Sequence, residues 1–165
     1  MFSTFEIANV TVGETQLTKS GGKQAYISAN NRPIRVCLSK DGLLAPWGIS
    51  SYNENDTRCN LDLILDKDLE GFFDTLDREI ITYLADNSNL YWKKPMTREQ
   101  VVSIFKPTVK RRENYENQVR CKVNFGTCDS KPGLVTRCYD DKLKDVMVEK
   151  SEFKKAKIIP VVHVK

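Results

Sequence analysis

The chain has a single histidine, His163, in a β-patterned stretch near its carboxyl end. An imidazole base or a histidine-rich zinc site therefore has little to draw on, and His163 reads as a surface or edge-strand residue. The five cysteines, Cys37, Cys59, Cys121, Cys128 and Cys138, contain no Cys-x-x-Cys pair. Their loose spacing does not suit a metal site, so they read as reduced thiols of an intracellular protein. Long apolar runs are missing too. The longest, Ile158 to Val164, is broken by Pro160 and His163, far short of a membrane span. The first ten residues have neither a basic start nor a long apolar stretch, so no secretory signal is expected. Asn9-Val10-Thr11 and Asn55-Asp56-Thr57 then carry no weight as glycosylation sites.

Catalytic motifs are equally scarce. There is no Gly-x-Ser-x-Gly, no His-Glu-x-x-His and no phosphate-cradling glycine loop. Ser20-Gly21-Gly22-Lys23 lacks the phosphate-loop spacing and reads as a hairpin turn. Asp62, Asp66 and Asp68 can be drawn as a metal cluster, but Asp62 belongs to a strand face while the other two flank a helix start. Capping explains that pair better. No enzyme activity, metal or cofactor is expected.

What is present is an ordinary globular balance, 40% hydrophobic and 29% charged, over a length that suits one domain. The net charge of +4 hides an asymmetry. Residues 1–97 carry 10 Lys and Arg against 13 Asp and Glu, and residues 98–165 carry 16 against 9. A basic carboxyl half is the usual mark of a surface that meets a polyanion.

The patterning begins with strands. Thr4 to Thr11, Gln24 to Ser28, Arg32 to Ser39 and Cys59 to Leu65 alternate or are bounded by turn residues. Ile34, Val36 and Leu38 share one face of their strand; Leu61, Leu63 and Leu65 share one face of theirs. Lys40 to Arg58, with Pro46-Trp47-Gly48, reads as a loop. The period then changes. Leu69, Phe72, Phe73, Leu76, Ile80, Tyr83 and Leu84 recur at helical steps, and Asn87-Ser88-Asn89 ends that helix. Thr97 and Gln100 form a capping box for a second, shorter helix, with Val101, Ile104 and Phe105 on its apolar side and Pro107 as its stop. Val119 to Phe125 alternates with Arg120 and Lys122 outward. Leu134 to Tyr139, Val146 to Lys150 and Ile158 to Val164 complete the strands, the last with an edge or bulge at Pro160.

This order predicts a mainly β, α+β fold on residues 1–165 as a single domain. A five-stranded Greek-key barrel of the oligonucleotide/oligosaccharide-binding (OB) type accommodates it, with a long and a short helix inserted at about 66–106 between the third and fourth barrel strands.

A basic groove with aromatic platforms holds single-stranded nucleic acid, because phosphates are charged and every base has a π-face. Arg120 and Lys122 share a strand face, and Arg32 and Arg35 bracket another strand. Lys106, Lys110, Arg111 and Arg112 form a basic run with Tyr115 close behind. Tyr91-Trp92-Lys93-Lys94 sets two aromatics beside two cations in an expected interhelical loop. Two of these have a plainer reading, Lys110-Arg111-Arg112 as a solvated loop and Trp92 as a cover on the helix end, while Trp47, between Pro46 and Gly48, fits a plug in the barrel mouth and a base-stacking platform equally.

From Asn31 to Phe125 a further order is visible: a basic strand, Pro46-Trp47-Gly48-Ile49-Ser50, Cys59 to Asp66, a helix with Leu76-Asp77-Arg78-Glu79-Ile80-Ile81, Asn87-Ser88, Trp92-Lys93-Lys94, Phe105 to Lys110, and Tyr115 before Val119-Arg120-Cys121-Lys122-Val123. This order resembles the single-stranded-DNA-binding proteins of nucleocytoplasmic large DNA viruses, relatives of the replication ssDNA-binding protein of short-tailed coliphages. The resemblance covers somewhat more than half of the chain. It implies an OB barrel that coats ssDNA in viral replication and recombination, without sequence preference or catalysis. Arg32, Arg35, Trp92, Lys93, Lys94, Lys106, Lys110, Arg120 and Lys122 fall in matching segments and are assigned to ssDNA, together with Arg111 and Arg112 of the basic run. Replication proteins and a second copy of the chain are the further partners implied, with no membrane, at a nuclear or cytoplasmic replication site. The acidic tail of the phage-type proteins has no counterpart in Ile158 to Lys165. The alternative is a noncatalytic protein-interaction or virion auxiliary barrel that sets its basic face on an acidic partner. RNA binding is a third reading.

Overall fold

The computed structural model describes residues 10–17, 21, 23–30, 32–53, 57–128, 131–134, 136–146 and 148–164. Most of the expected first strand, Thr4 to Thr11, lies outside them. In chain order the elements are β1 (Val10–Val12), β2 (Gln16–Leu17), β3 (Lys23–Gln24), β4 (Ile27–Ala29), β5 (Arg32–Cys37), β6 (Leu43–Ala45), β7 (Ile49–Ser50) and β8 (Arg58–Ile64). Three helices follow, α1 (Lys67–Asp86), α2 (Ser88–Trp92) and α3 (Arg98–Ile104). Then come β9 (Val109–Lys110), β10 (Gln118–Cys128), β11 (Lys131–Leu134), β12 (Cys138–Tyr139) and β13 (Asp145–Val146), a 3-10 turn (Lys150–Phe153), β14 (Ala156–Ile158) and β15 (Val161–Val164). The class is α+β, with more sheet than helix among the elements.

The chain divides into two compact units. The first comprises Met1–Leu38, Lys67–Thr108 and Val161–Lys165. Its four-stranded antiparallel sheet runs β1-β4-β5-β15. Helix α1 lies against β1 and α3. Leu69, Phe73, Leu76, Ile80 and Ile81 are buried on its apolar face, at the three- and four-residue steps seen in the sequence. Burying each such side chain is worth about 1.5–3 kcal/mol relative to leaving it exposed. Asp77 interrupts that buried face. It accepts from the Thr108 backbone N–H at 2.7 Å and from Thr108 Oγ1 at 2.6 Å, which satisfies the carboxylate and ties the exit of α3 back to α1.

The capping box of α3 is present in full: Gln100 N–H donates to Thr97 Oγ1 at 3.3 Å and Thr97 N–H to Gln100 Oε1 at 2.9 Å. Of its expected apolar side, Val101 is buried, but Ile104 is 55% exposed. A helix of two turns has only one residue fully against its neighbour. Asn87 does end α1, donating through Nδ2 to the Tyr83 carbonyl at 2.9 Å. The next residue, however, starts α2. Tyr91 and Trp92, expected in a loop, are therefore helical. Buried Ser88 accepts from Met96 N–H at 2.9 Å, and Lys93 closes α2 in the left-handed conformation at φ 58°.

The second unit is Ser39–Asp66 and Val109–Pro160. Its five-stranded sheet runs β11-β10-β8-β7, with β9 also on β10. Leu43 and Ala45 of β6, Cys59, Leu61 and Leu63 of β8, Val109, Val119, Val123 and Phe153 form its core. The expected loop from Lys40 to Arg58 contains β6 and β7, strands too short to carry a period-two signal. β6 pairs with β14.

Among the described residues the strands form five antiparallel sheets and no closed barrel. Closure needs a continuous ladder. Among the described residues the first sheet instead ends at β1 and β15 and the second at β11 and β7, strands paired on one side only.

Candidate nucleic-acid interface

β8 and β10 pair antiparallel from Gln118 opposite Ile64 to Asn124 opposite Arg58. Alternation sends Cys59, Leu61 and Leu63 inward on one strand, and Val119 and Val123 inward on the other. The opposite parity is polar. Asp62 stands opposite Arg120 and Asn60 opposite Lys122. β9 adds Lys110 opposite Gln118, and β7 adds Ser50 opposite Asn60. Four short segments of sequence thus build one polar strip on the second unit.

The strip is internally paired. Arg120 grips Asp62 as a fork, Nε to Oδ1 and Nη2 to Oδ2, each at 2.7 Å. Lys110 Nζ donates to the same Oδ1 at 3.1 Å. Lys122 Nζ donates to Asn60 Oδ1. The Asp62 side chain is 13% exposed and that of Arg120 39%, so the carboxylate lies beneath and the guanidinium faces solvent. Burial pulls the Asp62 carboxyl upward, but the hydrogen bonds from Arg120 and Lys110 outweigh it and hold the group below its usual range. On the inward parity Cys121 is half-buried, and burial followed by the Asp62 charge pushes its thiol up to about 11. It is a neutral thiol at physiological pH.

At the end of the strip the β9–β10 hairpin turns through residues 111–117. Tyr115 N–H donates to the Arg112 carbonyl at 3.3 Å, Asn114 takes φ 64°, and Leu65 N–H donates to the Asn117 carbonyl at 3.0 Å. A hollow of about 110 Å³ opens here, lined by Trp47, Lys110, Arg112, Tyr115, Glu116 and Gln118. Trp47 and Tyr115 are each 59% exposed. The backbone on both sides of Trp47 is closely packed. On one side Ala45 is fully buried, and its carbonyl accepts from Lys155 N–H at 2.8 Å. On the other, buried Gly48 takes φ +72° so close to Lys154 that a Cβ would meet its backbone nitrogen at 2.9 Å.

Of the residues assigned from sequence, Lys110, Arg120 and Lys122 come together on this strip, with Arg112 at the hollow and Arg111 beside it in the hairpin. The other six belong to the first unit. Arg32 and Arg35, both exposed, fall on opposite parities of β5, so that strand's alternation separates them. Arg35 stands opposite His163 of β15. Trp92 is half-buried, edge-to-face with Tyr91 at 6.1 Å between ring centroids. Tyr91 is a structural tie, donating its hydroxyl to the Val12 carbonyl at 2.6 Å. Burial, then Tyr83, pushes its pKa up to about 12. Lys93, Lys94 and Lys106 are exposed.

Sequence reasoning missed Glu116 and Gln118, weighed Asp62 only as a metal ligand, left Trp47 between packing and stacking, and set Tyr115 behind the basic run without assigning it to the site. A signal for Asp62 existed: antiparallel alignment of Cys59 to Leu65 with Val119 to Phe125 sets it against Arg120. Among the described residues, no three His, Cys, Asp or Glu side chains group as metal ligands, and no helix is long and apolar enough to cross a membrane. No protein-family model, curated protein or solved structure matches the chain.

Proposed function

We propose that this protein binds single-stranded DNA, without a defined recognition sequence and without catalysis, as a coating and protecting factor in viral DNA replication and recombination. The observation that supports this best is the polar strip of Lys110, Arg120 and Lys122 ending at a hollow walled by Trp47 and Tyr115. Cations spaced along strands meet phosphates, and exposed aromatic rings meet bases. The fork on Asp62 holds the Arg120 guanidinium in one orientation, so little side-chain entropy is lost when a phosphate docks on its outer edge.

The same reading takes the fold as an opened relative of the OB barrel. Its support is the helical block inserted between β8 and β10, strands adjacent in the sheet yet distant in sequence. Replication proteins and a second copy of the chain are the further partners this reading allows.

Fluorescence anisotropy with labelled oligo-dT, competed by duplex DNA and by oligo-U, tests the proposal. Competition by unlabelled oligo-dT with duplex a poor competitor is the expected result. Absence of oligonucleotide binding at low salt would hand the basic face to an acidic protein partner instead.

A further inference from the structure

We infer that the hollow between the Pro46-Trp47-Gly48 turn and the β9–β10 hairpin is a single-base subsite that takes cytosine. This rests on the ssDNA reading above and adds which base one position holds.

The walls supply stacking. Trp47 presents an exposed indole on a closely packed backbone, with Ala45 buried on one side and Gly48 close against Lys154 on the other. Tyr115 faces the same space. A rigid aromatic gains contact area at small entropic cost. The size is on the scale of a single ring: the open hollow measures about 110 Å³, against about 150 Å³ for an enclosed cavity that accepts benzene.

The polar lining supplies the readout. Glu116 is an acceptor, Lys110 a donor, and the Gln118 amide offers both. Lys110 stands opposite Gln118 in the register, and Glu116 lies two residues before Gln118 in the turn, so the three line one hollow. Cytosine presents an amino donor at N4, then acceptors at N3 and O2. A carboxylate accepting from N4 is the standard reading of this base. Gln118 then donates to N3, while Lys110 stays on Asp62 with the rest of the strip. Thymine presents O4, an acceptor, where Glu116 needs a donor; Gln118 can turn its amide to accept from thymine N3–H, so the discrimination rests on Glu116. Arg112, at the same hollow, meets the flanking phosphate. The rest of the strip touches only backbone, so the bias belongs to one position on an otherwise tolerant surface.

The test compares oligo-dC with oligo-dT of equal length on the full chain, at neutral pH and fixed salt. Both are pyrimidine strands with the same phosphate count, which isolates the base edge. The wild type should bind oligo-dC about 5- to 10-fold tighter, the low end of what one base-edge contact discriminates. Glu116→Gln, an exposed change on the hairpin, should bring that ratio close to one while oligo-dT affinity holds or rises. A wild-type ratio of one, with both strands bound, overturns the subsite and leaves the ssDNA reading standing. A ratio kept in Glu116→Gln also overturns it. Failure to bind either strand removes the ssDNA reading itself.

Discussion

Arg120 and Asp62 face each other across β8 and β10, joined by two hydrogen bonds of 2.7 Å, with Lys110 on the same carboxylate at 3.1 Å. The folded Asp62 carboxyl titrates below its unfolded value of about 3.9. Its stabilisation is therefore complete above about pH 4 and is lost as pH falls through the lowered folded value. Asp62→Asn should cost about 1 kcal/mol or less at neutral pH, because the Arg120 end of the pair is solvent-exposed. Urea melts at neutral and acid pH check this: the variant's deficit should shrink in acid, where the wild-type carboxyl is protonated.

Asp77 predicts a larger effect that is confined to stability. It is buried and takes two short hydrogen bonds from Thr108. Asp77→Ala leaves the Thr108 N–H without its partner and should cost about 3 kcal/mol, with Asp77→Asn milder because one acceptor survives. Thermal melts read the loss. Oligo-dT affinity of the folded protein should not change.

The two tryptophans give a spectroscopic division. Trp47 is 59% exposed at the hollow, and Trp92 is half-buried in α2. If bases stack on the hollow, Trp47→Phe should remove most of the ssDNA-induced fluorescence quenching and Trp92→Phe should keep it. Trp47→Ala should weaken binding by about 1–3 kcal/mol. Quenching that survives Trp47→Phe and disappears in Trp92→Phe would move the stacking site to the α2 segment.

Charge reversal belongs at Lys122 and Arg112. Arg120→Glu would set a second carboxylate beside Asp62 and confuse binding with folding. Lys122→Glu with Arg112→Glu touches two exposed cations instead. Oligo-dT affinity should fall by at least tenfold, as two attractions become repulsions. Stability should stay within about 0.5 kcal/mol, the usual scale for such surface changes.

The sequence carried the long elements well. α1 spans enough turns for its period to be unmistakable, and β8 and β10 alternate cleanly enough to fix which residues face out. That alternation alone put Arg120 and Lys122 on the polar face. It could not show β6, β7 or β9, which have two or three residues each and exist because a partner strand supplies their hydrogen bonds. It could not show that Asn87-Ser88-Asn89 joins two helices, because α2, Ser88–Trp92, is a single short turn with too few residues to carry a helical period. Nor could it gather the basic residues. Lys106 and Lys110 are four apart in sequence, yet they belong to different compact units.

The central claim, that the Asp62-organised strip is the ssDNA surface, is tested most directly by a salt series on oligo-dT with wild type and Asp62→Asn side by side. Each phosphate neutralised contributes about −0.7 to the slope of log affinity against log salt. Asp62 masks part of the charge of Arg120 and Lys110 while its fork holds the guanidinium in place, so its removal should steepen the slope by about 0.7 to 1.4, tightening binding at low salt, where charge dominates, and weakening it at high salt, where the lost preorganisation is left. Identical slopes and affinities in the two proteins, with ssDNA still bound, would contradict the account and place the DNA elsewhere on the molecule.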